Sequence, residues 1–150
     1  MKSSSVSWLT IVIRKLTSLI TLLVSLTFFS TAHADWTKME RGFKGDVYYV
    51  DFKNIKKYEH LTYYWRLVDY RRPDPDGYFS NKSYMEVDCD QLGERHLLVM
   101  YFTLPMAEGD IAKTLKWKKE DQGSFYQPPK ESVRTEMINK VCDHTPPITG

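Results

Sequence analysis

Two cysteines have the most defined chemistry in this chain. Cys89 and Cys142 are its only thiols, and a thiol can form a disulfide, bind a metal or act as a nucleophile. Neither stands in a CxxC pair, and no pair of histidines lies nearby to complete a metal site. A Cys89–Cys142 disulfide is therefore the favoured interpretation for an exported chain. A metal site and a reactive thiol are the alternatives.

The histidines and serines form none of the common catalytic motifs. His60, His96 and His144 show no HExxH or other paired spacing, which a zinc site on a helix would need. His96 alternates with Leu98 and Met100, so we expect a hydrogen-bonded histidine within a sheet. No G-x-S-x-G motif and no glycine-rich phosphate loop is present. We therefore predict no catalytic residue, no metal site and no cofactor.

Two groups of acidic residues have structural interpretations. Asp74, Asp76 and Gly77 resemble the start of a calcium loop, but the later oxygen ligands and the closing glutamate are missing. We therefore predict a Pro-Asp-Gly turn at this position. Asp88 and Asp90 fall on one face of a strand by alternation. They could form an acid pair, but a solvated face is our expectation.

The lysines of the C-terminal half carry the main candidate for a binding site. The chain has two clusters of lysines. Because lysines on an edge strand discourage aggregation, both clusters can be interpreted as solvated edges of the sheet. Alternatively, the second cluster is a binding edge for an acidic polysaccharide or a protein partner. The members of the first cluster are Lys53, Lys56 and Lys57, and those of the second are Lys113, Lys116, Lys118 and Lys119.

Aromatic residues are frequent and point to a sheet. They make up 14% of the chain, which has ten tyrosines, and strands favour such residues. We expect most of them to pack in the core. Because one helix cannot cover both faces of a sheet, we also expect some tyrosines and tryptophans to form an exposed binding surface.

The N-terminal segment has the layout of a secretory signal peptide. Residues 1–34 contain three basic residues and no acid, and residues 16–29 form an apolar run too short to span a membrane. Ala32-His33-Ala34 then provides a signal-peptidase site. We predict cleavage between Ala34 and Asp35, with an uncleaved membrane anchor as the alternative. Residues 35–150 then form a single domain without a transmembrane segment.

The elements that must position these residues are strands followed by one helix. Apolar and aromatic alternation predicts strands at 61–70, 83–90 and 95–104, with further candidates at 47–52, 111–117 and 36–41. Glycine and proline turns separate these segments. The spacing predicts an antiparallel meander of five or six strands.

The last predicted element is an amphipathic helix. Val133, Met137, Ile138 and Val141 recur at helical spacing after Pro128-Pro129, and Ser132 or a neighbour could cap the helix. Cys142 then lies on the inner face of the helix, and alternation places Cys89 on the inner face of its strand. We therefore predict an α+β domain in which a disulfide tethers the C-terminal helix to the sheet.

The chain contains, in this order, Trp36, Val47-Tyr-Tyr-Val-Asp51, Ile55, Tyr64-Trp-Arg-Leu-Val-Asp-Tyr70, Ser80-x-Lys82-Ser-Tyr84-x-x-x-Asp88-Cys89, Arg95, Tyr101, Gly109, Trp117, Pro128 or Pro129, and Val141-Cys142. The order of these motifs resembles the surface-adhesin protein E family of small exported bacterial proteins. The resemblance extends over essentially all of residues 35–150. It implies a small antiparallel sheet with a C-terminal helix tethered by the disulfide, exposure at the bacterial envelope and, for the members that named the family, adhesion to host macromolecules. The chain departs from the family pattern at Pro128-Pro129-Lys-Glu, before the helix.

Charge and motifs together limit the function. After residues 1–34 the chain has one more acidic than basic group, so it lacks the basic excess of nucleic-acid-binding proteins. We predict a non-enzymatic, adhesin-like binding module with a protein or polysaccharide partner, located in the periplasm or at the cell surface. A periplasmic envelope protein that binds a small or polymeric ligand is the alternative. The sequence leaves the oligomeric state open.

Overall fold

Six antiparallel strands and one α-helix form the part of the chain that the structure describes. The computed structural model describes residues 35–145, so the predicted signal peptide at 1–34 and residues 146–150 lie outside it. The strands pair in sequence order, each antiparallel to the next, which confirms the predicted meander. Their bounds are β1 (Trp36–Arg41), β2 (Val47–Tyr58), β3 (Leu61–Asp69), β4 (Ser80–Asp88), β5 (Gly93–Phe102) and β6 (Ile111–Lys116).

Strand β2 extends well beyond its predicted end. It continues to Tyr58, whereas alternation alone ends it at Phe52. The pairing of β2 with β3 shifts between Asp51 and Lys56, which marks a β-bulge. A bulge inserts extra residues and then lets pairing resume. The polar segment after Phe52 therefore interrupts the alternation without ending the strand.

Helix α1 (Val133–Asp143) begins where its cap predicts. The Ser132 hydroxyl accepts a hydrogen bond from the Thr135 N–H at 3.3 Å, which satisfies one of the free N–H groups of the first turn. The Thr135 hydroxyl donates to the Pro129 carbonyl oxygen at 2.8 Å. The Pro128-Pro129 segment thus leads directly into a capped helix, although it departs from the family pattern.

The core lies between α1 and one face of the sheet. Its members are apolar, and burial of each large aliphatic side chain contributes roughly 1.5–3 kcal/mol. The opposite face of the sheet, which α1 does not contact, is called the open face below. The fully buried members of the core are Val50, Tyr64, Met85, Val87, Met137, Ile138 and Val141.

A disulfide joins the helix to the sheet. Cys89 directly follows β4 and Cys142 lies in the last turn of α1, and their Cα atoms are 5.7 Å apart across a sequence separation of 53 residues. The Lys57 ammonium group on β2 donates a hydrogen bond to the Cys142 carbonyl oxygen. The predicted Cys89–Cys142 bridge and the α+β fold are therefore confirmed.

Two aspartates close turns rather than forming chemical sites. Asp88 Oδ1 accepts hydrogen bonds from the N–H groups of Asp90 and Gln91, both at 3.0 Å, and Asp88 is only 4% exposed. The expectation of a solvated acidic face is therefore wrong for Asp88, because the turn needs a buried acceptor for its N–H groups. The predicted turn at Asp74 is confirmed, and its Gly77 has a φ of +88°.

Candidate functional site

A row of aromatic side chains crosses the open face. Directly paired residues of neighbouring strands lie on the same face of a sheet. The register places Trp65 opposite Tyr84 and Tyr63 opposite Glu86, and it places Trp36 opposite Asp51, which pairs with Trp65. None of these side chains belongs to the core under α1. We call the row the aromatic ladder, and its members are Trp36, Tyr58, Tyr63, Trp65 and Tyr84.

The rings of the aromatic ladder contact one another across three strands. The Tyr58 and Tyr63 ring centroids lie 6.0 Å apart edge to face, and those of Tyr63 and Tyr84 lie 6.3 Å apart and stacked. Trp65 and Tyr84 are closest, at 4.9 Å. Such pairs add about 0.5–1.5 kcal/mol beyond area burial. Tyr58 is 66% exposed and the other four are half-buried, so the rings are held in position yet reachable from solvent.

A lysine and an aspartate complete this surface between the two tryptophans. The Lys82 ammonium nitrogen lies 4.5 Å from the Trp65 ring centroid and 5.7 Å from that of Trp36, which is cation–π geometry. Asp51 is 2% exposed and accepts a hydrogen bond from Asn54 Nδ2 at 2.7 Å. Its Oδ1 atom has no hydrogen-bond partner among the described residues.

The tyrosine at the centre of the ladder is fixed by hydrogen bonding. The Tyr63 hydroxyl donates to Glu86 Oε1 at 2.6 Å, and Arg95 forms an ion pair with the same carboxylate. Burial and then the Glu86 hydrogen bond raise the pKa of Tyr63 to about 12. The phenol therefore stays protonated, and its ring presents a fixed flat face.

The structure divides the predicted lysine edge between two faces. Lys116 pairs with Leu98, which pairs with Tyr84, so Lys116 lies on the open face with the aromatic ladder. Lys113 pairs with Tyr101 and therefore lies on the other face, where its ammonium nitrogen is 3.8 Å from an Asp76 carboxylate oxygen. Lys118 follows β6 and is exposed, and Lys119 begins the short 3-10 segment Lys119–Asp121. Of the two lysines within β6, only Lys116 extends the ladder surface.

The aromatic side chains are less buried than the sequence led us to expect. Among the described tyrosines, Tyr64 is fully buried, Tyr58 and Tyr126 are exposed, and the others are half-buried. The expectation that most aromatic residues pack in the core is therefore wrong. The physical reason is that α1 spans only 11 residues and covers one face of a six-stranded sheet.

A buried charge cluster on the helix side was not predicted. Glu94 on β5 forms ion pairs with Arg66 on β3, at 3.1 Å, and with Arg134 on α1. The Tyr64 hydroxyl lies 3.4 Å from Glu94, and Arg66 also contacts His96 Nε2 at 3.3 Å. We expected His96 to be hydrogen-bonded within the sheet. Its Nε2 atom has a partner, but its Nδ1 atom has none among the described residues. The one sequence signal was Arg66 within the apolar and aromatic run of β3.

The charges of this cluster set the protonation states of its members. Burial alone would raise the pKa of Glu94, but Arg66 and then Arg134 hold it below its ordinary value. Burial opposes the charge of Arg66, yet Glu94 keeps the pKa of Arg66 above its ordinary value. Burial and then Arg66 lower the pKa of His96 to about 4. At neutral pH the cluster therefore holds two cations, one anion and a neutral imidazole.

Two further observations concern the described residues only. Within 35–145, no group of three or more His, Cys, Asp and Glu side chains is arranged to hold a metal ion. None of the helices in this same range is both long and apolar enough to cross a membrane.

Comparison with known proteins gives one match. A family model described as surface-adhesin protein E matches residues 36–143. No curated protein and no solved structure matches the chain significantly. The matched region begins at Trp36 of the aromatic ladder and ends with α1, so it contains all six strands, both cysteines and the charge cluster.

Proposed function

Since the chain belongs to the surface-adhesin protein E family, we propose that it is an exported, non-enzymatic binding module that contacts an acidic macromolecule through its aromatic ladder. Family membership implies an adhesin-like surface or exported protein. The family alone does not specify the partner. The proposal for the partner rests on the side chains of the open face.

The aromatic ladder is the observation that carries the proposal. Tyrosine and tryptophan supply large contact area at low cost in side-chain entropy, and both are enriched at binding hot spots. In this protein their rings are pre-positioned by mutual contacts and by the Tyr63–Glu86 hydrogen bond. A rigid aromatic surface binds with little ordering cost. The open face thus has the chemistry of a recognition surface.

The charge on the open face favours an acidic partner. Its acidic groups are buried or paired: Asp51 is 2% exposed, Glu86 is paired with Arg95, and Asp69 accepts a hydrogen bond from a backbone N–H. Its lysines are available to an incoming anion, and lysines steer acidic partners and tune their on-rates. The register places Lys38, Lys56, Lys82 and Lys116 on this face.

The test of the ladder compares the heparin binding of two variants, both made in the chain from Asp35 onward. Trp36→Ala with Tyr58→Ala removes both ends of the ladder, and Phe43→Ala removes an exposed ring on a turn as the control. Immobilised heparin is the acidic probe and dextran the neutral one. We expect the double variant to elute from heparin at lower salt while the control elutes like the wild type. Equal elution of all three proteins would contradict the proposal.

The lysine edge has its own matched pair of variants. Lys116→Ala should weaken heparin binding and reduce its dependence on salt, because Lys116 lies on the ladder's face. Lys113→Ala, on the opposite face, should leave binding unchanged. Both changes should alter the free energy of unfolding by less than about 0.5 kcal/mol, as is usual for surface positions. An equal effect of the two variants on binding would remove the open face from the site.

A further inference from the structure

A cavity separate from the aromatic ladder lies beside the start of β5. The chain leaves β6 at Trp117, whose N–H donates to the Leu97 carbonyl oxygen at 3.2 Å, and it rejoins β5 at Tyr126. Two hydrogen bonds of 2.9 Å then pair Tyr126 with Glu94. Between these two anchors the segment runs beside β5, and Arg95 donates a hydrogen bond to the Gly123 carbonyl oxygen. The cavity between this segment and β5 has a volume of about 240 Å³.

The inner wall of the cavity has a surplus of positive charge. Glu94 and Arg134 line it directly, and Arg66 lies behind Glu94 with a side chain that is 5% exposed. One carboxylate therefore faces two guanidinium groups, that of Arg66 buried and that of Arg134 30% exposed. The other arginine at the cavity, Arg95, is already paired with Glu86. Glu94 compensates only one of the two positive charges, so the partly exposed Arg134 guanidinium group is available to pair with an incoming anion.

Two buried hydrogen-bond donors at or behind this wall have no acceptors. Arginine can only donate, so its contact with His96 Nε2 makes that nitrogen the acceptor and puts the proton of the neutral ring on Nδ1. His96 Nδ1 and Arg66 Nε are both buried and have no partner among the described residues. Buried donors are normally satisfied. The charge cluster therefore lacks acceptor atoms, not donors.

The remaining walls suit a ring with hydroxyl groups. Trp117 and Tyr126 supply aromatic faces, and Gln122 and Ser124 supply polar groups. The Trp117 ring centroid lies 6.0 Å from that of His96, and the Arg134 guanidinium carbon lies 4.6 Å from the Tyr126 centroid. The aromatic walls are therefore held against the charged wall. Their combination is that of a small-ligand site with few convergent polar groups.

We propose that this cavity binds a uronic acid, a monosaccharide that carries a carboxylate. The carboxylate supplies a negative charge and acceptor atoms to the wall that Arg134 and His96 line. The sugar ring packs against Trp117 and Tyr126, and its hydroxyls reach Gln122 and Ser124. The cavity is smaller than the roughly 300–1,000 Å³ of sites for drug-sized ligands, which limits the occupant to about one sugar ring. None of its lining residues belongs to the aromatic ladder.

The test uses glucuronate as the probe, with glucose as the control that lacks the carboxylate. NMR of the His96 ring follows binding to the chain from Asp35 onward. We expect glucuronate to shift the His96 signals saturably and to raise the pKa of His96 above about 4, because a bound carboxylate stabilises the imidazolium against Arg66 and Arg134. Glucose should give neither effect. No saturable shift with glucuronate, or an equal shift with glucose, would overturn the proposal.

Variants then separate this cavity from the open face. Trp117→Ala should weaken glucuronate binding at least tenfold, whereas Trp36→Ala on the ladder should leave it unchanged. Gln122→Ala, at the cavity rim, should weaken binding if Trp117→Ala fails to fold. Unchanged glucuronate affinity in both cavity variants would refute the site even if heparin still bound the ladder. A trigalacturonate that binds like the monomer identifies the end of an acidic polysaccharide as the source; binding of the monomer alone identifies a free uronic acid.

Discussion

Glu94 is the residue on which the charged side chains of three elements converge. It accepts from Arg66 on β3 and from Arg134 on α1, while its own side chain is fully buried. Removing one partner of a buried ion pair is strongly destabilising, because the other charge stays buried without compensation. Glu94 therefore connects the helix to the sheet at the end of α1 opposite the disulfide.

We predict that Glu94→Gln lowers the free energy of unfolding by about 3–5 kcal/mol, as measured by urea denaturation. The amide keeps the volume of the carboxylate but leaves Arg66 and Arg134 uncompensated. Lys53→Ala is the control, because its ion pair with Asp35 joins side chains that are 73% and 62% exposed, and such pairs contribute at most about 1 kcal/mol. Equal losses in the two variants would show that the cluster is not structural.

His96 gives the protein a dependence of stability on pH. Its pKa is lowered from 6.5 in the unfolded chain to about 4 in the folded protein. Stability is therefore complete above pH 6.5 and falls as the pH decreases toward 4, since the unfolded state binds the proton first. Glu94, whose pKa is lowered from 4.5, adds its own loss only below that window.

We predict a loss of about 2 kcal/mol in the free energy of unfolding between pH 7 and pH 5. His96→Gln should flatten the profile over this range, because glutamine does not titrate. Urea denaturation at a series of pH values measures both proteins. A variant with the same slope as the wild type would assign the effect to another group.

The predictability of single residues depends on whether their partners are local. The inward placement of Cys89 and Cys142 follows from alternation and helical spacing, which are visible in the sequence, and their pairing follows from the count. Arg66 and Glu94 are 28 residues apart and Glu94 and Arg134 are 40 apart, and only the register and helix placement bring them together. No sequence pattern of that separation identifies a charge cluster.

At the scale of elements, the strands and the helix could be predicted to within a few residues except for β2. The second half of β2 could not be predicted, because the sequence loses its alternation at the bulge near Asp51. The helix start at Val133 was predictable from Ser132, a preferred N-cap residue. The face of β3 that the helix covers was not predictable, because both faces of this strand carry large aromatic or apolar residues.

The disulfide is the covalent link between α1 and the sheet, and its removal should act on the helix first. A bridge across 53 residues contributes roughly 4 kcal/mol in the chain-entropy model. We predict that Cys89→Ser with Cys142→Ser increases amide hydrogen exchange in α1 more than in β3 and β4. Changing both cysteines avoids a free thiol. Uniform acceleration in all elements would show that the helix and sheet open together.

At the scale of the whole molecule, two surfaces of different chemistry lie on opposite sides of one sheet. The open face carries rigid rings and lysines, as an extended macromolecular contact requires. The helix side carries the charge cluster and the cavity beside it, which are suited to a single small group. The fold could be predicted as an α+β meander from the sequence. The division into two surfaces depends on the register of strand pairing and therefore could not be predicted.

Both surfaces can meet an external partner only if the chain is exported, which the segment before the described residues is expected to direct. We predict that cells expressing the full chain release a protein whose first residue is Asp35, after cleavage behind Ala34. Mass spectrometry of the intact exported protein measures this end. A membrane-bound product beginning at Met1 would support the uncleaved anchor.

Protease treatment of intact cells then locates the domain: an adhesin at the cell surface is digested, whereas a periplasmic protein is protected until the outer membrane is opened. A periplasmic marker protein that stays intact in the same sample is the control. We expect digestion of the domain with the marker preserved, because an aromatic and basic open face is of use to an adhesin only where the partner can reach it.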